Sequence, residues 1–268
     1  MGFLSDLAAE RRRQLERHPL DDSTLLARSM AMPPARDFLG ALQGRTPAVI
    51  AEVKRASPSA GEIADRDPGA QARAYASAGA AVISVLTEPV HFHGSLADLR
   101  AARMSCDIPV LRKDFLVHPS ELIESRAAGA DAVLLIAACL SANELVAMLA
   151  TARDLGLGAL VETHSDGDLE KVLATDAGVI GVNARDLETL EVDVDRALSH
   201  LGRIPADRLA VMESGIATRE QVIRAVKAGA SGILVGEALM RADDPGAKLR
   251  ELMGREPMGG RSHDERAG

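Results

Sequence analysis

Short apolar runs recur along the chain, and segments with the apolar spacing of helices separate them. This alternation is typical of parallel strands joined by helices. Strands are predicted at about 48–53, 81–86, 110–115, 132–136, 158–161, 179–182, 209–212 and 232–235. Eight such strands predict an α/β fold, a closed (β/α)8 TIM barrel of roughly 250 residues. An open doubly wound sheet is the alternative, since it differs only in strand order.

Helices are predicted between the strands, for example over 67–78, 120–128, 142–154 and 218–228. The phrases SAGAAVISV, AAGADAVLL and KAGASGILV each join the end of a helix to the start of a strand. Their glycines, Gly79, Gly129 and Gly229, stand where a helix end favours a left-handed residue. The threefold repeat indicates an architecture of like units rather than two unrelated domains.

The barrel has an N-terminal extension of about residues 1–45, with an amphipathic helix over 3–20 and a short helical stretch near 37–42. With this extension, residues 1–253 are expected to form a single domain. The polar, glycine-rich segment 254–268 has no apolar period, which predicts a disordered C-terminal tail. The N-terminal segment carries charges throughout and so lacks the apolar core of a signal peptide. The longest apolar run, 132–140, is far shorter than the roughly 20 residues of a membrane span.

Composition narrows the choice of partner. The net charge of -8 and the pI near 5.4 argue against nucleic-acid binding, because such surfaces concentrate Lys and Arg. A small molecule is the expected partner, and the protein is expected to be a monomer or a weak homo-oligomer. Cys106 and Cys139 lie far apart without metal-ligand spacing, which favours a reducing cytoplasm over a disulfide-rich secreted protein.

Polar residues close most of the predicted strands, at the end where barrels of this kind carry their active sites. They are Glu52 and Lys54, Glu88, Lys113 and Asp114, Glu162, Asn183 and Arg185, and Glu213 and Ser214. Of 31 Lys plus Arg, only five are Lys. Lys54 and Lys113 therefore stand out, because a lysine amine can act as an acid and an always-protonated guanidinium cannot.

Glu52 and Lys54 share one face of the first strand, because side chains at i and i+2 point the same way. Opposite charges beside an apolar pocket can divide acid and base duties. A purely structural ion pair is an equally good interpretation of this spacing alone. The connection from Ser57 to about Asp67 is long for a loop after a strand and is a candidate lid, with an ordinary surface linker as the alternative.

Two motifs near the end of the chain, ESGIAT and ILVGEALM, place small residues between a strand and a helix. Unpaired N–H groups at such a point favour a phosphate, and barrels often use this sector for one. Phe92 and Phe115 follow strand ends and could wall an aromatic pocket or simply fill the core. His91 and His93 form an HxH pair, but no further ligands complete a metal site. His164 is interpreted as a loop residue.

The motifs at the strand ends resemble those of the indole-3-glycerol phosphate synthase family. In chain order they are AEVKRASPS, SVLTEP, PVLRKDF, GADAVLLIAA, LVETH, IGVNARDL, ESGI and GILVGEALM. The match spans about residues 3–253, and in that family an extra N-terminal helix precedes the barrel and helps to cover the site. Val182 is a departure, since many members have a second Asn there; alternation points it away from Asn183, so we expect an effect on packing more than on catalysis.

The resemblance implies ring closure of 1-(2-carboxyphenylamino)-1-deoxyribulose 5-phosphate to indole-3-glycerol phosphate in tryptophan biosynthesis. Carbon dioxide and water are lost, and no cofactor or metal is expected. Lys113 would protonate the developing alkoxide, and Lys54 with Glu162 and Glu52 would serve the later steps. It leaves open whether Glu52 or Glu162 is the base.

Site residues follow from the same resemblance. Catalytic roles are implied for Glu52, Lys54, Lys113, Glu162 and Asn183. Substrate contacts are implied for Ser57, Pro58, Phe92, Phe115, Leu134, Arg185, Leu187 and Glu213. Phosphate contacts are implied for Ser57, Ser214, Gly215, Gly236 and Glu237. The alternatives are a phosphoribosylanthranilate isomerase-like barrel, which would not explain two strand-end lysines, and a non-catalytic phosphate-binding barrel, which would not need so many opposed charges.

Overall fold

The computed structural model describes residues 2–54, 66–186 and 189–255, together with the backbone of 56–57 and 61–62. Eight parallel strands close into a barrel in the order β1-β10-β9-β8-β7-β6-β5-β4. They are β1 (Ala48–Val53), β4 (Val82–Leu86), β5 (Val110–Lys113), β6 (Ala132–Ile136), β7 (Gly158–Thr163), β8 (Val179–Asn183), β9 (Leu209–Glu213) and β10 (Gly232–Val235). The short strands β2 (Ala56–Ser57) and β3 (Gly61–Glu62) pair with each other after β1. The predicted TIM barrel is confirmed.

Helices fill the connections and the N-terminal extension. They are α1 (Phe3–Arg17), α2 (Asp22–Met30), α3 (Phe38–Gln43), α4 (Pro68–Ala78), α5 (Leu96–Ser105), α6 (Pro119–Ala128), the 3-10 turn η1 (Ala137–Cys139), α7 (Ala142–Asp154), α8 (Asp166–Leu173), α9 (Val194–Leu201), α10 (Arg219–Lys227), α11 (Glu237–Met240) and α12 (Pro245–Met253). The first helix is shorter than predicted, and α2, which begins after the capping carboxylate of Asp21, was not predicted at all. The predicted tail from 256 onward lies outside the described residues.

Alternating side chains of the strands form two separate apolar cores. One set, exemplified by Ile50, Leu111 and Leu160, fills the interior of the barrel. The intervening residues, such as Val49 and Ala51, pack outward against the helices. The same alternation sends the polar residues at the strand ends inward, above this apolar interior. Phe38 and Leu42 of α3 belong to the interior core, and a Cβ at Gly158 would lie 2.6 Å from the Phe38 ring, so α3 closes the other end of the barrel.

Helix α1 lies across the barrel and is held there by charged side chains. Arg11 Nε donates to Glu121 Oε1 of α6 at 2.6 Å, and Glu121 is fully buried. Arg12 donates to the Cys139 carbonyl at 2.9 Å. Leu4 packs into the interior core, which brings the start of α1 to the open end of the barrel. Across the described part of the chain, no helix has the length and apolar character needed to cross a membrane.

On the outer side of the barrel wall, the side chain of Arg112 is buried between β5 and α6. Its guanidinium donates to Asp114 at 3.0 Å and to Glu124 at 2.9 Å. Replacing it with methionine is expected to lower the free energy of unfolding by about 3–5 kcal/mol, because the buried Asp114 carboxylate loses its counter-charge. Urea titration of the purified variant measures this loss.

Arg153 provides the matched control for that experiment, because its ion pair with Asp176 is exposed on both sides. Arg153→Met is expected to change the free energy of unfolding by less than about 1 kcal/mol. Equal effects of the two substitutions would contradict the role given to the buried Arg112 network.

Candidate active site

A cavity of about 450 Å³ opens at the carboxyl ends of the barrel strands. The predicted site residues whose side chains are described all line it: Glu52, Lys54, Phe92, Lys113, Phe115, Leu134, Glu162, Asn183, Arg185, Glu213, Ser214, Gly215, Gly236 and Glu237. Pro58 and Leu187 lie outside the described residues, and Ser57 is described only by its backbone. Side chains from six different strands therefore converge on one space.

Lys113 lies at the centre of the charged floor. Its Nζ donates to Glu162 Oε2 at 3.0 Å and to Glu213 Oε2 at 2.8 Å. Asn183 Nδ2 donates to the other oxygen of Glu162 at 3.2 Å, while its own carbonyl oxygen accepts from the Arg185 backbone N–H at 3.0 Å. That second bond fixes the orientation of the amide. One ammonium thus bridges two carboxylates that are almost fully buried.

The three charged groups of this floor shift one another's pKa values. Burial favours the neutral amine of Lys113, but the charges of Glu162, Glu213 and Glu52 outweigh it and raise the pKa of Lys113. Burial favours protonated Glu162, but the Lys113 ammonium holds the pKa of Glu162 well below its usual value. Burial raises the pKa of Glu213 to about 8, with the neighbouring Glu162 charge adding to the effect and Lys113 opposing it. Near neutral pH, Glu162 is ionised and Glu213 carries a proton.

Glu52 and Lys54 form the ion pair that their spacing suggested. Lys54 Nζ lies 2.9 Å from Glu52 Oε1, and both side chains border the cavity. Glu52 Oε2 is buried without a hydrogen-bond partner among the described residues. A Cβ on Gly236 would lie 2.4 Å from Glu52 Oε1. The backbone just after β10 therefore comes so close to this carboxylate that only glycine fits there. Glu52 and Lys54 therefore form a bridge at the edge of the cavity, and one carboxylate oxygen of Glu52 has no hydrogen-bond partner within the described part of the chain.

Glu213 depends in the same way on a glycine of the neighbouring strand. Its Oε1 atom is buried and has no hydrogen-bond partner among the described residues. A Cβ at Gly181 would lie 2.2 Å from that atom. The sequence analysis did not single out Gly181, although a glycine inside an apolar strand is a signal for the close approach of another group.

The sector after β9 and β10 is the candidate phosphate site. Ser214 and Gly215 have φ angles of 63° and 71°, an unusual turn that folds the backbone around the cavity rim. After the adjacent strand β10, Gly236 caps α11 and Glu237 is its first residue. Arg241, which the sequence analysis missed, also lines the cavity, and its Nε donates to Glu237 Oε1 at 3.1 Å. Its signal would have been a cation one turn into the helix after the last strand.

Apolar side chains form the opposite wall. The rings of Phe92 and Phe115 lie 6.3 Å apart and are tilted by 43°. Phe3 of α1, Leu190 and Val192 also line the cavity, with Val192 beside Gly215, and the sequence analysis did not single out these three. Glu88 does not project into the site: its carboxylate accepts the His91 and Phe92 backbone N–H groups at 2.6 and 3.2 Å and so shapes the loop that carries Phe92.

The histidines make contacts that their sequence context did not indicate. The His91 ring lies edge-on to Phe3 at 5.3 Å, so it joins α1 to the rim of the cavity. Within the described residues, no cluster of three or more His, Cys, Asp or Glu side chains could hold a metal. His164 lies in the loop after β7, as predicted, but it is buried there, and its Nε2 lies 3.0 Å from Glu162 Oε1.

Solved structures with this architecture include 3-hexulose-6-phosphate synthase, with a TM-score of 0.63 and 17% identity, which matches 77% of this chain and 98% of its own. Thiamine phosphate pyrophosphorylase from Pyrococcus furiosus has a TM-score of 0.59 and 16% identity, with 80% of this chain and 96% of that chain covered. At these identities the likeness shows the shared barrel fold and nothing about substrate.

Sequence relatives are much closer. The indole-3-glycerol phosphate synthase of Polaromonas naphthalenivorans (strain CJ2) is 49% identical over 224 residues, which cover 82% of this chain and 85% of the relative. That of Nocardioides sp. (strain ATCC BAA-499 / JS614) is 46% identical over 257 residues, 95% of this chain and 99% of the relative. The family model described as Indole-3-glycerol phosphate synthase matches residues 4–252. The chain belongs to the indole-3-glycerol phosphate synthase family.

Proposed function

We propose that this barrel closes the indole ring of 1-(2-carboxyphenylamino)-1-deoxyribulose 5-phosphate, giving indole-3-glycerol phosphate, carbon dioxide and water. The observation that carries the proposal is the Lys113 ammonium, held between Glu162 and Glu213 beneath a cavity with one aromatic wall. A reaction that builds negative charge on a buried oxygen needs such a proton donor. Membership of the family supports the same assignment.

The cavity fits the three parts of this substrate. The anthranilate ring would lie against Phe92, Phe115 and Leu134. The phosphate would lie at the opposite rim, where Ser214, Gly215, Gly236 and Glu237 present backbone around the cavity and Arg241 supplies positive charge, with Ser57 completing the contact. Lys54 and Arg185 would face the carboxylate. Glu213, whose Oε1 has no hydrogen-bond partner among the residues that the structure describes, would hold a sugar hydroxyl.

In the first step, the ring carbon that bears the carboxylate attacks the sugar ketone. A carbon–carbon bond forms, the carbonyl π electrons move onto oxygen, and Lys113 transfers a proton to that oxygen. Pre-positioned charge of this kind is typically the largest contribution to catalysis in a cavity that excludes water. The ketone oxygen must therefore lie within hydrogen-bond reach of Lys113 Nζ.

Decarboxylation follows. The bond between the ring and the carboxylate breaks, and its electrons restore the aromatic ring. The remaining hydroxyl then leaves as water with a proton from Lys54, and the adjacent ring carbon loses a proton to Glu52. Lys54 Nζ and Glu52 Oε1 are 2.9 Å apart, so the proton that Glu52 receives can return to Lys54. Asn183 holds Glu162 in place during these steps.

The assay for this proposal is incubation of the purified protein with the carboxyphenylamino deoxyribulose phosphate, followed by indole fluorescence without added metal. Formation of the indole product supports the proposal, and silence from correctly folded protein defeats it. Phosphoribosylanthranilate is the second substrate to offer, because its rearrangement by this chain would instead identify an isomerase-like barrel.

Glu213 predicts the pH dependence of the reaction. Burial raises its pKa to about 8, so kcat/KM should fall as the pH rises through about 8 and Glu213 loses its proton. A second negative charge beside Glu162 would make Lys113 a weaker acid. Glu213→Gln keeps a neutral side chain that can hydrogen-bond, and its pH profile should lack this decline. A decline of the same size at the same pH in the variant would contradict the assignment to Glu213.

A further inference from the structure

The proton balance of the proposed reaction leaves one group uncharged after each turnover. Lys54 gives one proton and Glu52 receives one, so this pair restores itself. Lys113 gives a proton to the alkoxide and receives none from the substrate. The overall conversion of a carboxylate into carbon dioxide takes up one proton from solvent. A route from solvent to Lys113 is therefore required once per turnover.

The Glu162 carboxylate connects Lys113 to a second titratable group. Its Oε2 accepts from Lys113 Nζ at 3.0 Å, and its Oε1 lies 3.0 Å from Nε2 of His164. Both ring nitrogens of His164 are buried without a hydrogen-bond partner among the described residues, so the 3.0 Å contact is not yet aligned as a hydrogen bond. Catalytic contacts are often misaligned in ligand-free enzymes and tighten when substrate binds.

His164 also borders a second cavity, of about 390 Å³, whereas Glu162 lines only the substrate cavity. The cavity lies under the start of α1 and reaches the surface at Asp166, whose side chain is 73% exposed. The charged groups around His164 come from β7, α8, the segment after β8, and α9. They are Glu162, Asp166, Asp168, Asp186 and Arg196. The ring of His164 thus borders a cavity that opens to solvent outside the substrate cavity, and both of its nitrogens are buried in the ligand-free structure.

We propose that His164 returns the proton to Lys113, by way of Glu162, from solvent that enters the second cavity. The proposal rests on the proposed ring-closing function. A proton enters at Nδ1 and leaves from Nε2 to Glu162 Oε1, and Glu162 Oε2 passes a proton to the neutral Lys113 amine. Imidazole suits this task because its two nitrogens exchange acid and base roles near neutral pH. His164 acts through Glu162 and does not touch the substrate.

The test compares the first turnover with those that follow, in the wild-type protein and in His164→Gln. The amide of glutamine can still face Glu162 as a donor but cannot pass a proton on. Stopped-flow indole fluorescence should show a first turnover at the wild-type rate, with an amplitude of one product per site. The steady rate should then be about a hundredfold lower than wild type, the low end of the usual contribution of proton transfer to catalysis.

His164→Ala provides an independent measurement. Added imidazole should raise its steady rate, whereas pyrazole, which has the same shape and is a much weaker base, should not. His18→Gln, in an exposed histidine at the end of α1, is the matched control and should behave as wild type. If His164→Ala does not fold, the difference between the first-turnover rate and the steady rate of His164→Gln decides by itself.

Three outcomes would overturn the relay. The steady rates of both variants could stay within twofold of wild type, the first turnover could slow as much as later ones, or imidazole and pyrazole could restore His164→Ala equally. The second and third results would make His164 a packing or positioning residue only. Wild-type protein that forms no indole would instead defeat the proposed function, so the two failures are distinguishable.

Discussion

Lys113→Ala is expected to lower kcat by about a hundredfold or more, the usual scale for the loss of a general acid. The ammonium bridges Glu162 and Glu213, so alanine removes the proton donor and leaves the buried Glu162 carboxylate without its counter-charge. KM should change much less, because the aromatic wall and the phosphate rim are untouched. Indole fluorescence under saturating substrate measures the effect.

Lys113→Arg separates acid catalysis from charge. The guanidinium keeps the positive charge between the carboxylates but does not release a proton at neutral pH, so this variant should also remain slow. Lys248→Ala is the matched control, because Lys248 pairs with Glu251 on the outer surface of α12. A wild-type rate in Lys113→Ala would remove this residue from the mechanism.

Glu52→Gln is expected to stop the reaction at a different point and to lower indole formation by about a hundredfold. Ring closure and decarboxylation use Lys113, which this substitution leaves in place. The ring proton, however, loses its acceptor. Carbon dioxide should therefore be released in the first turnover without an equivalent amount of indole, and mass spectrometry should find a hydroxylated intermediate on the enzyme.

Glu251→Gln is the control for the loss of a carboxylate outside the site, since that side chain is 54% exposed. Loss of carbon dioxide release along with indole formation in Glu52→Gln would contradict the division of work between the two lysine sites. It would place Glu52 in the first step instead.

The strands were predictable from sequence because the apolar runs are long and the polar residues that end them are frequent. The predicted first strand, 48–53, agrees with β1, and the predicted fourth with β6. β8 and β9 each extend one residue further than predicted, to Asn183 and Glu213. Those residues were assigned to loops because they are polar, whereas in the structure they continue the strand ladder and face the cavity. Polarity marks the site here, not the end of the strand.

Contacts between distant segments could not be predicted. The pairing of Arg11 with Glu121 joins residues that are 110 positions apart, and nothing local indicates it. Phe3 likewise reaches the cavity only because α1 folds back over the barrel. Spacing alone showed that Glu52 and Lys54 share a face, but not that one oxygen of Glu52 has no hydrogen-bond partner in the described part of the chain. That oxygen is what distinguishes a candidate base from a structural bridge.

His164 lies in the loop between β7 and α8, as predicted, but the sequence analysis did not predict its burial. Two residues after Glu162, it has the register of a side chain that continues the inner face of β7. The inner face in fact extends past the end of the strand, as it also does at Lys54 after β1 and at Phe115 after β5.

Stoichiometry tests the central claim most directly. Purified protein would be given substrate labelled with carbon-13 in the carboxylate, in weakly buffered solution acidic enough to keep carbon dioxide from forming bicarbonate, and labelled carbon dioxide, indole-3-glycerol phosphate and proton uptake would be measured together. Ring closure by this site predicts one labelled carbon dioxide and one proton consumed for each indole formed. Substrate consumption with the label retained in the organic product would contradict it.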